Sequence, residues 1–304
     1  MKKIMCLFVC GLLTAGALTG CGSSADTTTD SGNTTTDAAG DFDTSSDISV
    51  VSREDGSGTR GAFIELFGVE EKDANGDKVD YTTDEAIIAN STEIVMTTVA
   101  GDDYAIGYSS LGSLNDTVKA VKIDGAEPTA DNINNGSYTI SRPFNIATKG
   151  DVSDVAQDFI NYIMSADGQQ IIEDNGYIKA SDAGAFESNG ASGKIVVAGS
   201  SSVTPVMEKL QEAYQKVNSG AEIEIQESDS TTGMTAAMDG TCDIGMASRE
   251  LEDSEKDKGL TSQAIALDGI AVIVNTQNDR TDISTDMVKK IFTGEVTDWN
   301  DVTE

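Results

Sequence analysis

Twice in this chain a short run of β-branched residues ends in a loop of glycines and hydroxyls that leads directly into a helical pattern. The first is 48-ISVV-51 followed by 52-SREDGSGTRGAF-63; the second is 195-IVVAG-199 followed by 199-GSSSVTPVMEKL-210. A strand that turns through glycines into a helix is a unit of α/β architecture. Its turn lets consecutive backbone N–H groups face one concavity, and the helix N-terminus behind it adds partial positive charge. Such a loop suits an anion. It is not a nucleotide P-loop, because GxxxxGK[ST] needs a lysine that 53-REDGSGTR-60 lacks. Two further donor-rich turns, 228-SDSTTG-233 and 247-ASRE-250, follow strand patterns in the second half. Singly, each serine reads as a helix cap. Together, four such turns suit an oxyanion gripped between two α/β domains.

The remaining periodicity agrees with α/β. Strand patterns fall at 48–51, 94-IVMTTV-99, 104–109, 118-VKAVKI-123, 195–199, 222–226, 243–247 and 265–275. A helix is expected after the GSSS loop, with Thr204 as its N-cap, Pro205 as its first residue and Val206, Met207, Leu210, Ala213, Tyr214 and Val217 on one face. Another spans 152–165. The stretch 180-ASDAGAFESNGASG-193 is small and polar and reads as a linker, dividing the folded chain into 47–179 and 194–304.

Composition narrows the chemistry. The 304 residues suffice for two modest domains, with an aliphatic core because only 5% of residues are aromatic. The net charge of −32 argues against nucleic acid or an anionic membrane surface as a partner. The chain has no histidine, which removes Ser-His-Asp and Cys-His catalysis and any His-ligated metal. No metal site and no cofactor are expected. Cys242 stands alone and reads as a small buried hydrophobe. The other three cysteines lie in the N-terminal segment, where Lys2 and Lys3 precede the apolar run 4-IMCLFVCGLLTAGAL-18. That is the pattern of a secretory signal. It ends in 18-LTGC-21, which resembles a bacterial lipobox and implies cleavage before Cys21 and acylation of its thiol. Residues 22–46 are nearly all Gly, Ser, Thr, Asp and Ala, and are expected to form a disordered tether.

Six stretches carry a family resemblance: 50-VVSREDGSGTRGAF-63, 106-IGYSSLGSLND-116, 199-GSSSVTPVMEKL-210, 243-DIGMASREL-251, 265-IALDGIAVIVN-275 and 291-IFTGEVTDW-299. Together they resemble the phosphate-binding lipoprotein of bacterial phosphate ABC importers, over nearly all of the chain from residue 47. The segment order differs from that family. There the GSSSVTP segment opens the mature protein, and the helix resembling 168–178 closes it. The order here resembles a circular permutation, with the family's ends joined through 179–194 and its middle cut between Val302 and Ser46. A rearranged or truncated tandem copy is the other explanation.

The resemblance implies a two-lobed periplasmic-binding-protein-like fold of type II. Each lobe is a mixed sheet flanked by helices, and the ligand lies in the cleft between them. The crossing segments match 140-ISRPFNIA-147 and 265-IALDGIAVIVN-275, which makes 144–267 a continuous lobe and 47–141 plus 270–304 a split one. The resemblance also implies phosphate ligands: Arg53, Ser57, Gly58 and Thr59 from the split lobe, and Ser201, Ser202, Ser230 and Ser248 from the continuous lobe. Asp55 resembles the aspartate that pairs with the arginine and helps to accept a ligand proton. The acids Glu227 and Asp229 would repel an anion if they faced the site. The implied function is a monomeric, non-enzymatic, lipid-anchored receptor on the outer face of the cell membrane that passes inorganic phosphate to an ABC permease. A receptor or sensor for another oxyanion (sulfate, molybdate or a small phosphorylated metabolite) is the alternative. A phosphatase or transferase is disfavoured by the missing catalytic groups.

Overall fold

The computed structural model describes residues 42–303. The expected signal segment, the expected acylation site Cys21 and residues 22–41 of the expected tether lie outside the described residues. The last residues of that tether, 42–46, pack against the fold. The Phe42 ring lies 5.4 Å from that of Tyr104 and 5.6 Å from that of Trp299, and the Trp299 amide donates to Ser46 O at 3.1 Å. Both ends of the described chain therefore meet at one place.

Eight principal strands build the main sheet: β1 (Ser49–Arg53), β2 (Ile87–Ala89), β3 (Ala105–Ser110), β4 (Ser141–Lys149), β5 (Gly193–Ser200), β6 (Ala221–Ser228), β7 (Ile244–Ala247) and β8 (Leu260–Asn275). Their spatial order is β6-β5-β7-β4-β8-β3-β1-β2. Pairing is parallel for β5 with β6 and β7, and for β1 with β2 and β3. It is antiparallel along β7, β4, β8 and β3. The 16 residues of β8 serve two halves. Leu260–Gly269 pair with β4, and Ile270–Val274 pair with β3. Each half has its own core. One gathers Phe144, Phe159, Val197, Leu210 and Tyr214, and the other Phe63, Tyr108, Val272, Phe292 and Trp299. The parallel strands are covered by the helices α1 (Gly58–Leu66), α2 (Thr92–Gly101), α3 (Asp154–Met164), α4 (Ala166–Asp174), α5 (Thr204–Val217), α6 (Ser230–Asp239) and α7 (Thr285–Phe292), as parallel pairing requires.

Most expected elements appear, with three corrections. The stretch 94–99, read as a strand, lies within α2. Its β-branched run favoured a strand locally, yet Thr92, Val95, Met96 and Val99 are the buried residues, a helical spacing that the sheet surface rewards. The Ser91 hydroxyl starts this helix by accepting from the Ile94 amide at 3.2 Å. In α5, Thr204 is already helical and its N-cap is Val203; the Thr204 hydroxyl donates to Ser200 O at 3.2 Å. The stretch 118–123 is split into two short strands, Val118–Ala120 and Lys122–Ile123.

The segment 180–192 has neither helix nor strand, but it is tied down. Phe186 packs edge-on against Tyr162 and Tyr214. The buried Asp158 carboxylate accepts from Ser188 Oγ (2.7 Å), the Asn189 amide (2.9 Å) and Tyr214 Oη (2.8 Å). Burial raises the Asp158 pKa, but the hydrogen bonds from Asn189, Ser188, Tyr214 and Asn218 outweigh it and hold the carboxyl below its usual value. This contribution is therefore present above the ordinary aspartate range and lost as pH falls through the depressed value. Asp158→Asn is expected to cost about 1–3 kcal/mol at pH 7, since it leaves buried donors mismatched. Chemical denaturation at pH 7 and near pH 3 checks this: the deficit should shrink at the lower pH.

Candidate functional site

Four helices begin at one place. Thr59 lies in the first turn of α1, Thr92 opens α2, Ser200–Ser202 lead into α5, and Ser230 opens α6. Ser248 follows β7 and joins them. All these side chains are buried. Their hydroxyls form one network spanning both halves of the sheet. Thr59 Oγ1 lies 2.8 Å from Ser202 Oγ and 3.3 Å from Ser248 Oγ. Thr92 Oγ1 lies 2.9 Å from Ser202 Oγ, and the Thr92 amide donates to Ser201 Oγ at 3.2 Å. Ser200 Oγ lies 3.1 Å from Ser248 Oγ, whose own amide donates to Ser230 Oγ at 3.1 Å. Four helix N-termini and a cluster of hydroxyls concentrate hydrogen-bond donors and positive partial charge at one point. That is the chemistry of an oxyanion site.

Arg53 brings the formal charge. Its Nη2 donates to Ser201 Oγ at 3.1 Å and its Nη1 to Thr92 Oγ1 at 3.2 Å, with the side chain buried. The backbone beneath is braced by Tyr108, whose hydroxyl accepts from the Arg53 amide at 3.1 Å. Burial pushes the Tyr108 phenol up to about 12, so it remains a neutral brace. Gly58 is needed for close approach: a Cβ there would lie 2.5 Å from Ser230 Oγ and 2.9 Å from Ser248 Oγ.

Of the residues expected from the sequence, Arg53, Gly58, Thr59, Ser201, Ser202, Ser230 and Ser248 meet at this cluster. Ser57 does not present its hydroxyl there; its Oγ accepts from the Arg60 amide at 3.3 Å and caps α1. Asp55 is not brought there either. Its side chain is 97% exposed and pairs with Arg60 at 2.7 Å. The carboxylate that grips Arg53 is Glu54, through Nε at 2.7 Å and Nη2 at 2.6 Å. The local reason is that β1 ends at Arg53 and the chain turns, with the Ser57 amide donating to Glu54 O at 3.0 Å, so strand alternation no longer carries Asp55 to the Arg53 side. Of the two suspect acids, Asp229 caps α6, accepting from the Thr232 amide at 2.8 Å. Glu227 is exposed, with its pKa raised by burial of part of the side chain and by Glu208 and Glu93.

Sequence reasoning missed Thr92, Ser200, Glu54 and a buried pair below the cluster, Arg142 and Asp268. Thr92 was hidden by the strand reading of 94–99; Ser91 followed by an acidic first turn was the available signal for a helix start. Arg142 and Asp268 face each other across β4 and β8, with Nη1 2.8 Å from Oδ2. Burial pushes the Asp268 carboxyl up to about 6 and the Arg142 guanidinium down, in each case outweighing their mutual attraction.

Residues 31–167 and 184–304 match the PBP superfamily domain. The chain is 54% identical over 304 residues to the phosphate-binding protein PstS 2 of Streptococcus agalactiae serotype V, covering 100% of this chain and 99% of that one. It is 35% identical over 139 residues to the phosphate-binding protein PstS of Bacillus subtilis, covering 44% of this chain and 42% of that one. The crystal structure of a phosphate-binding protein of a phosphate ABC transporter from Streptococcus pneumoniae superimposes with a TM-score of 0.67 at 46% identity, covering 85% of this chain and all of that one. The two-lobed mixed sheet and its helices are thus a periplasmic-binding-protein-like fold. The chain belongs to the PBP superfamily and, within it, to the family of the PstS phosphate-binding proteins.

The buried pair makes a pH signature. Because the Asp268 pKa is raised on folding, the native state binds its proton more tightly than the unfolded chain does. Its contribution is therefore most favourable below the ordinary aspartate value and is lost as pH rises toward about 6. Asp268→Asn removes this titration. The stability of wild type minus that of the variant should fall as pH goes from about 4 to about 6. Denaturant midpoints of both proteins across that range check it.

Proposed function

We propose that this chain is an extracytoplasmic receptor that binds inorganic phosphate between its lobes and delivers it to an ABC permease, without chemistry on the ligand. The observation that carries this reading is the buried hydroxyl network at four converging helix N-termini, with Arg53 beside it. The names of its relatives agree with it. Arg53, Gly58, Thr59, Ser201, Ser202, Ser230 and Ser248 form the ligand shell, joined by Thr92. Ser57 acts by capping α1, and Asp55 acts at one remove by holding Arg60. The residue divisions 47–141 plus 270–304 and 144–267 are the two lobes, hinged where β4 and β8 cross. Each hydrogen bond to a charged ligand contributes roughly 1.5–3 kcal/mol. Several of them meet the ~8 kcal/mol of a micromolar complex after the costs of association.

The order of segments is a circular permutation of the PstS pattern. Two observations support this. The alignment with the Streptococcus agalactiae protein is continuous, whereas that with the Bacillus subtilis protein covers less than half of each chain. The two ends at the proposed cut lie side by side, joined by the bond from the Trp299 amide to Ser46 O. The protein acts as a monomer, and Cys21 carries the lipid that holds it at the membrane. Cys21→Ala should release it from the membrane fraction and abolish incorporation of radiolabelled palmitate.

Isothermal titration of the soluble domain with phosphate, then with sulfate at the same pH and salt, tests the binding reading. One-to-one phosphate binding with little response to sulfate is expected. Arg53→Ala should weaken it by about 3–5 kcal/mol, because a buried anion loses its countercharge. No heat with phosphate, or unchanged affinity in Arg53→Ala, would overturn the assignment.

A further inference from the structure

Arg142 has more to do than brace two strands. A guanidinium whose task was only to pair β4 with β8 would direct its donors at those strands. Here one side does so: Nη1 lies 2.8 Å from Asp268 Oδ2 and donates to Gly269 O at 3.4 Å. The other donors reach across the site. Nη2 donates to Thr59 Oγ1 at 3.0 Å, at the start of α1. Nε donates to Ser248 O at 3.1 Å, at the end of β7. One buried cation, 3% exposed, thus joins the crossing strands, the α1 loop and the Ser248 turn.

The donor inventory gives this contact a direction. Arginine has five N–H donors and no acceptor, so Thr59 Oγ1 must accept from Arg142. The threonine hydroxyl has a single proton. With its oxygen engaged by the guanidinium, that proton is left for the cluster, where Ser202 Oγ at 2.8 Å is its nearest partner. We infer that Arg142, held by Asp268, is a positioning residue that makes Thr59 an obligate donor to the bound anion, in the conformation that brings the α1 loop and the Ser248 turn together. This inference rests on the phosphate-binding reading above and adds the residue that sets the polarity of one ligand contact. Arg142 does not touch the ligand in this account; it acts through Thr59.

A double-mutant cycle tests it. Phosphate affinity is measured by isothermal titration for the wild type, Arg142→Lys, Thr59→Val and the double variant, each shown to be folded by thermal melting. Lysine keeps the charge but cannot hold the strand contacts, Thr59 and Ser248 O at once. Arg142→Lys should weaken phosphate binding about tenfold, the size of one hydrogen bond to a charged group. The double variant should bind no more weakly than Thr59→Val alone. Wild-type affinity in Arg142→Lys would show that charge alone matters and would overturn the inference. Additive losses would overturn it too, since a merely structural role does not act through Thr59. If Arg142→Lys does not fold, Asp268→Asn replaces it in the cycle, with the same non-additivity expected and the same results overturning it. A folded wild type that binds no phosphate would overturn the functional reading itself, which separates that failure from the failure of this inference.

Discussion

Four helix N-termini aimed at one buried point create a concentration of positive partial charge that must be answered by acceptors. Much of the architecture follows from that requirement. The helices belong to both halves of the sheet, so the convergence exists only when the halves are together. The strands behind them must turn sharply, which is why Gly58 and the Gly/Ser loop of β5 occur where they do. Gly199 at φ +135°, with Met246 O 2.3 Å from where a Cβ would sit, shows how closely that loop approaches β7. In this structure the donors are answered by one another's hydroxyl oxygens and by the Glu54 carboxylate on Arg53.

The overall acidity of the chain stands against this local chemistry without defeating it. A net charge of −32 repels an approaching anion at long range, but salt confines that field to about 8–10 Å. Inside the cluster, fixed dipoles and Arg53 act over hydrogen-bond distances, where they dominate. The acids nearest the loops are occupied: Asp229 by its own helix N-terminus, Asp55 by Arg60 and Glu54 by Arg53.

The proposed permutation is compatible with the hydroxyl cluster because the sheet does not depend on where the chain is cut. What the site needs is that β1, β5 and β7 deliver their loops to the same edge and that β4 and β8 run between the halves. The proposed junction, 180–192, is fastened by Asp158 and Phe186. At the proposed cut, residues 42–46 stay packed and bonded beside Trp299.

The α/β class, the loops at 53–60 and 199–205, the buried Cys242 and most residues of the buried hydroxyl cluster were legible in the sequence. These features are local: glycine and hydroxyl spacing after a β-branched run dictates a turn and a helix start whatever surrounds it. Other features needed the tertiary structure. The run at 94–99 became helix because its buried stripe met the sheet surface at helical spacing, so Thr92 arrived at the site. Glu54 rather than Asp55 grips Arg53 because of the direction in which each leaves the end of β1. Arg142 and Asp268 are 126 residues apart and meet only through the register of β4 against β8. Local propensity says which loops can hold an anion. Only long-range strand pairing decides which distant charges sit beneath them, because burial and register have no counterpart in a short stretch of chain.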